Sequence, residues 1–144
     1  MKRFRFRLEQ VLRVRRVQED QAKAELLTAN HNAHLTARRV EERLAAYESR
    51  ALPGGAQPYE AFEHALFMLD AAAGAVDVAR ADHRAALDVV DERRAAWAGA
   101  RRRVAALERL EERRRAEHDV EMRRAEDQLV DDLVVARHAA KGSR

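Results

Sequence analysis

The 144-residue chain is 37% charged and only 5% aromatic, with a net charge of +3. Thirty residues are Ala, and Ala, Glu, Leu and Arg together dominate, which is the composition of a long helix or coiled coil and not of a compact globule with a thick core. The absence of cysteine excludes disulfides, thiolate zinc sites and cysteine nucleophiles.

The opening, Met1-Lys2-Arg3-Phe4-Arg5-Phe6-Arg7, alternates charge with aromatics and lacks the apolar run of a secretory signal. No later stretch reaches the roughly 18 uncharged apolar residues of a membrane span. The cytoplasm is therefore the expected compartment. A first helix is predicted over about 5–51. Phe4, Leu8 and Val11 begin an apolar stripe. Leu26, Asn30, Ala33, Ala37, Val40, Leu44, Tyr47 and Ala51 continue one with alternating steps of four and three, the spacing of a coiled-coil seam. Between the two runs Arg15 and Gln18 fall on the seam, so a stutter is expected there.

Leu52-Pro53-Gly54-Gly55-Ala56-Gln57-Pro58 is the strong breaker cluster, and it predicts a turn over about 52–58. A second, longer helix is predicted over about 58–138, with its seam at Val76, Ala79, His83, Ala86, Val90, Arg93, Trp97, Ala100, Val104 and Leu107. Two such helices hide their stripes by folding on each other. The expected architecture is all-α: one domain over 1–144, a long antiparallel two-helix coiled-coil hairpin with a longer second helix. Symmetry about the turn predicts partner numbers adding to about 110, with Tyr47 near Phe62, Val40 near Leu69, Leu26 near His83, Leu12 near Trp97 and Phe4 near Ala106. Helix two then overhangs from about residue 106, carrying Leu107, Leu110, Met122, Leu129 and Leu133.

Charge is unevenly placed. Residues 1–16 hold seven Lys/Arg against one Glu, a net of +6. Residues 101–115 hold seven Arg against three Glu, a net of +4. Residues 40–100 hold six Arg against eleven acids, a net of −5. A hairpin brings both basic segments to one end.

No chemistry-bearing motif stands out. There is no phosphate-binding Gly-rich loop, no metal-ligand spacing and no nucleophile motif, so no enzyme, cofactor or metal is expected. His31 and His34 share a helical face without a nearby acidic third ligand, and His83 falls on the seam. Pairs such as Glu111-Glu112 and Asp131-Asp132 lack a cleft to shift their pKa values. The triplets at Arg101–Arg103 and Arg113–Arg115 are interleaved with Glu and lack a readout motif, which favours protein-facing arginines over nucleic acid. At the turn, Tyr47, Tyr59, Phe62 and Phe67 gather. Leu66, Phe67 and Leu69 cannot all face one partner helix, so a binding tip is one reading and a packed cap the other.

Several segments resemble the flagellar export protein family FliJ. They are Phe4-Arg5-Phe6-Arg7-Leu8-Glu9-Gln10-Val11-Leu12, then Trp97 with Val104, Leu107 and Leu110, then Arg123-Arg124-Ala125-Glu126-Asp127-Gln128-Leu129-Val130-Asp131-Asp132. The family's usual Gln-Lys is here Asp127-Gln128. The resemblance implies a part of the bacterial flagellar type III export apparatus, serving flagellum biogenesis, motility and chemotaxis. It implies a stalk-like protein, monomeric, that binds a hexameric export ATPase and links it to the cytoplasmic part of the membrane export gate and to export chaperones. Such a protein is cytoplasmic and peripheral to the cell membrane. Carried onto this chain, the ATPase-binding residues are Phe4, Leu8, Leu12, Arg101, Arg102, Leu107 and Leu110. The export-gate-binding residues are Leu44, Tyr47, Phe62, Leu66 and Leu69. The architecture alone leaves open a stalk of another type III secretion or rotary ATPase, and a coiled-coil scaffold or nucleic-acid-binding hairpin.

Overall fold

The computed structural model describes residues 4–52, 54–56 and 58–142, with side chains on the second helix described up to His138. Lys2, Arg3, Pro53 and Gln57, which enter the sequence reading, lie outside the described residues. Two helices form the protein: α1 over Glu9–Glu48 and α2 over Tyr59–Gly142. There are no strands among the described residues, and α2 has 84 residues against 40 in α1.

Each boundary has a local cause. Residues 5–8, expected to be helical, are not, and Phe4 continues the same non-helical segment. Burial there alternates: Phe6 is buried and Phe4 and Leu8 are half-buried, while Arg5 and Arg7 are exposed. That is a period of two; a helix would splay Phe4 and Phe6 about 200° apart. The helix begins where the Glu9 and Leu12 amides donate to the Phe6 and Leu8 carbonyls. It ends three residues early, where the Ser49 hydroxyl donates to the Ala46 carbonyl (3.0 Å) and the Arg50 amide turns back to Tyr47. The connection is therefore 49–58. Gly55 adopts φ 91°, which a residue with a Cβ rarely tolerates. Pro58 caps α2: the Ala61 and Phe62 amides donate to its carbonyl at 3.0 and 3.3 Å.

The chain forms two compact units, 1–17 with 101–144 and 18–100. Both basic segments fall in the first. In each unit the two helices run antiparallel. In unit 18–100, Arg93 binds Glu25 at 2.7 Å and Thr36 Oγ1 lies 3.0 Å from His83 Nδ1. These partner numbers add to about 119, and the same register continues where Arg39 and Arg43 share a groove with Ala75 and Ala79. The expected value was about 110. The reason is that α1 stops at Glu48, so its last turn stands level with about residue 71 and the first three turns of α2 have only the 49–58 connection to accompany them. Ala29, Ala33, Ala86 and Val90 are buried together, with Leu26 against them. Small residues make this seam, and none of the described side chains is fully enclosed, because two helices bury one stripe each and no more.

In the other unit, Phe6, Leu12 and Val104 form a buried cluster of large side chains, with Phe4, Leu8, Leu107 and Leu110 packed on it. Arg16 pairs with Glu108 at 2.9 Å. Leu12 thus meets Val104 and not Trp97, and Phe4 reaches His118 and not Ala106. Among the described residues, cover on α2 therefore extends to about residue 121 and does not stop at 106.

The seam positions of α2 are buried or half-buried as expected, Arg93 excepted. It sits at the rim, where it can reach Glu25. On α1 the expected stutter at Arg15 and Gln18 is absent: Arg15 and Glu19 are half-buried and keep the steps of three and four. The irregular step comes later, from Val40 to Leu44.

The Thr36 hydroxyl donates its one proton to the Ala33 carbonyl (2.9 Å), so the bond to His83 takes its proton from Nδ1–H. Thr36→Val keeps the shape but removes both bonds. It should lower stability by about 1 kcal/mol in urea unfolding, and Thr36→Ser should restore most of that.

Candidate binding surfaces

The first surface is built from residues 4–8 laid against α2. The Phe4 ring meets His118 edge to face, with centroids 5.6 Å apart and planes at 62°. The Arg115 guanidinium carbon stands 5.5 Å from the centre of the same ring, a cation–π contact. Phe6 goes deeper and is 8% exposed. Phe4, Arg5, Arg7, Leu110, Arg114, Glu117, His118 and Glu121 line an open cleft of about 800 Å³. Its apolar floor and mixed charged rim suit recognition of a protein segment.

The structure gathers five of the seven residues assigned to ATPase binding, Phe4, Leu8, Leu12, Leu107 and Leu110, into one cluster. Leu12 is 3% exposed and serves the interior. Phe4, Leu8, Leu107 and Leu110 are half-buried, so each keeps an accessible edge, while Arg101 and Arg102 are exposed. Beyond Glu121, α2 has no described cover. Leu129, Val130, Leu133, Val134 and Val135 are 51–68% exposed, all within about two turns.

The second surface lies in unit 18–100, at the start of α2. Phe62 and Leu66 are 41% and 45% exposed, and Tyr59 and Phe67 are 78% and 68% exposed. Leu44, Tyr47 and Leu69 are half-buried. The shifted register sets Tyr47 level with about residue 71, close to Leu69 but about 13 Å along the axis from Phe62. The register therefore brings Tyr47, Leu66 and Leu69 within about 9 Å of one another along the axis, with Leu44 about 9 Å from Leu69 on one side and Phe62 about 10 Å on the other. Phe67 and Tyr59 add to the exposed Phe62 and Leu66. Phe6, Arg115 and His118 are additions to the first surface. The Phe-Arg-Phe-Arg alternation was the sequence signal for Phe6 and the Arg113–Arg115 triplet that for Arg115; nothing in the sequence marked His118. Among the described residues no group of three His, Asp or Glu is placed to hold a metal ion, and no helix is long and apolar enough to cross a membrane.

A family model described as the flagellar FliJ protein matches residues 4–143. No curated protein and no solved structure shows significant similarity to the chain.

Proposed function

Since the chain belongs to the flagellar FliJ protein family and is a component of the flagellar export apparatus, we propose that it is a non-catalytic, central-stalk-like protein of that apparatus. In this reading it binds the hexameric export ATPase and links it to the cytoplasmic part of the export gate and to export chaperones. It works in the cytoplasm, held at the membrane face through these partners.

One observation carries the reading: Leu129, Val130, Leu133, Val134 and Val135, the apolar side chains on either side of Asp131-Asp132 on α2, are exposed and none of the described residues covers them. Exposed patches of this kind meet a partner. The ATPase would be engaged by this run, by Arg101 and Arg102, and by the accessible edges of Phe4, Leu8, Leu107 and Leu110. Leu12 supports them from within. The gate would be engaged by Phe62 and Leu66, with Leu44, Tyr47 and Leu69 beside them. The two sets fall in different units, so one can be altered without the other. A stalk needs no chemistry of its own. Its different side chains, offered to identical ring subunits, bias those subunits unequally.

The test is ATP hydrolysis by the cognate export ATPase, titrated with this protein at fixed salt. Stimulation that saturates is expected, and none at saturating protein would sink the ATPase assignment. In parallel, Phe62→Asp with Leu66→Asp should leave that stimulation unchanged and weaken binding to the purified gate domain by about tenfold or more, the loss expected of two apolar anchors. Both side chains are already exposed, so the fold should survive, which circular dichroism checks.

A further inference from the structure

Residues 24–37 of α1 contain one charged residue, Glu25, and its carboxylate is bound by Arg93. At the chain's 37% charge about five would be expected over this length. The depletion is not explained by burial. Gln21, Ala24, Thr28, His31 and Leu35 are all exposed. With 100° per residue they fall within about 40° of one line on the helix, roughly opposite the seam. Their spacing of three, four, three and four is that of a second seam, on the outer side of α1. Leu35 is 40% exposed and the adjoining Leu27 is 61% exposed. The Thr28 hydroxyl already donates to the Ala24 carbonyl at 3.1 Å. A stripe free of Asp, Glu, Lys and Arg and bordered by charge has the charge depletion of an interface centre.

We propose that this outer face of α1 is a self-association surface whose occupant is the same face of a second copy, packed antiparallel about a two-fold axis between Thr28 and His31. Two features select this partner and this register. First, numbers adding to about 59 set Ala24 opposite the second copy's Leu35, small against large. Second, in an antiparallel pair, residues on one flank face the same flank of the partner. Asp20 and Arg38 share a flank, at the same angle on the helix, and this register brings Asp20 level with the second copy's Arg38 twice, once on each side of the axis. The face from Asp20 to Arg38 is about 28 Å long. A single helix pair of that length falls below the roughly 1,200 Å² of a stable interface, so the dimer is weak and exchanging. The inference concerns the free chain and departs from the monomer that the family resemblance implies; it is independent of the export reading, in which a single copy binds the ATPase.

The chain has no cysteine, so introduced thiols report contacts cleanly. Ala24→Cys and Leu35→Cys are prepared as separate full-length chains and oxidised alone and mixed. A disulfide requires Cα atoms within about 7 Å. In the proposed register residue 24 of one copy meets residue 35 of the other, whereas like residues are about 16 Å apart. The mixture should therefore form linked dimer, predominantly between the two different variants, and each variant alone should form little. Adding Asp20→Arg to both chains should lower the linked yield several-fold, and adding Arg38→Asp as well should return it. Equal yields from the mixture and the single variants, or a yield indifferent to Asp20→Arg, would overturn the proposal. In that case the face is left to a different protein.

Discussion

Leu12→Ala is expected to cost about 2–3 kcal/mol, at the lower end of the range for Leu→Ala because the seam is open enough to refill part of the hole. Leu12 is the most enclosed of the described core residues at 3% exposure, and it packs with Phe6 and Val104 under Phe4, Leu8, Leu107 and Leu110. The cost should stay local. Amide exchange of the buried segments at 9–17 and 101–118 should rise by up to about 100-fold, the factor that such a free energy implies. Residues 26–36 and 83–90 depend on a separate Ala and Val cluster and should change little. Val17→Ala, about one and a half helical turns further on and 51% exposed, should change neither. If Leu12→Ala and Val17→Ala behave alike, the described cluster does not hold residues 4–8 in place. Stimulation of the ATPase should also fall in Leu12→Ala, because its accessible partners lose their support.

The second large effect concerns the uncovered end of α2. A chain ending after Glu121 retains Arg115 and His118, which hold Phe4, and removes Leu129, Val130, Leu133, Val134 and Val135. Removing these apolar anchors should cost about 2–4 kcal/mol of ATPase binding, or a drop of roughly 30-fold or more in affinity. The urea midpoint should move little, since the lost side chains are exposed. A chain ending after Ala105 is the contrasting case. It also strips Leu107, Leu110, Arg115 and His118 from the cluster, so it should lose both stability and stimulation. Unchanged stimulation in the first truncation would move the ATPase contact to Arg101, Arg102 and residues 4–8. Unchanged stability in the second would contradict the packing of Phe4 and Phe6.

The interhelical ion pairs illustrate how little of this depends on charge. Arg16–Glu108 and Arg93–Glu25 are each about half exposed and should contribute about 0.2–1 kcal/mol. They confirm direction and register, but the seam sets both. Placing Ala29 and Ala33 against Ala86 and Val90 lets the helices approach closely, and the larger side chains are reserved for the cluster around Leu12.

The sequence by itself determined two helices, a longer second one, an antiparallel pairing and a break between Leu52 and Pro58. Those follow from periodicity and from Pro and Gly, which act within a few residues of where they stand. It also carried the family, through the Phe-Arg-Phe-Arg opening and the Leu and Arg pattern near residue 107. The tertiary structure alone decided the register, nine residues away from the symmetric expectation. Registers related by whole turns put much the same stripe on the seam, and only the fit of Ala33 and Thr36 against Ala86 and His83 separates them. It likewise decided that residues 4–8 leave the helix. A non-helical Phe and Arg segment is held only when a second helix supplies a surface for its apolar side chains, and that surface, ending in Arg115 and His118, lies about a hundred residues further along the chain.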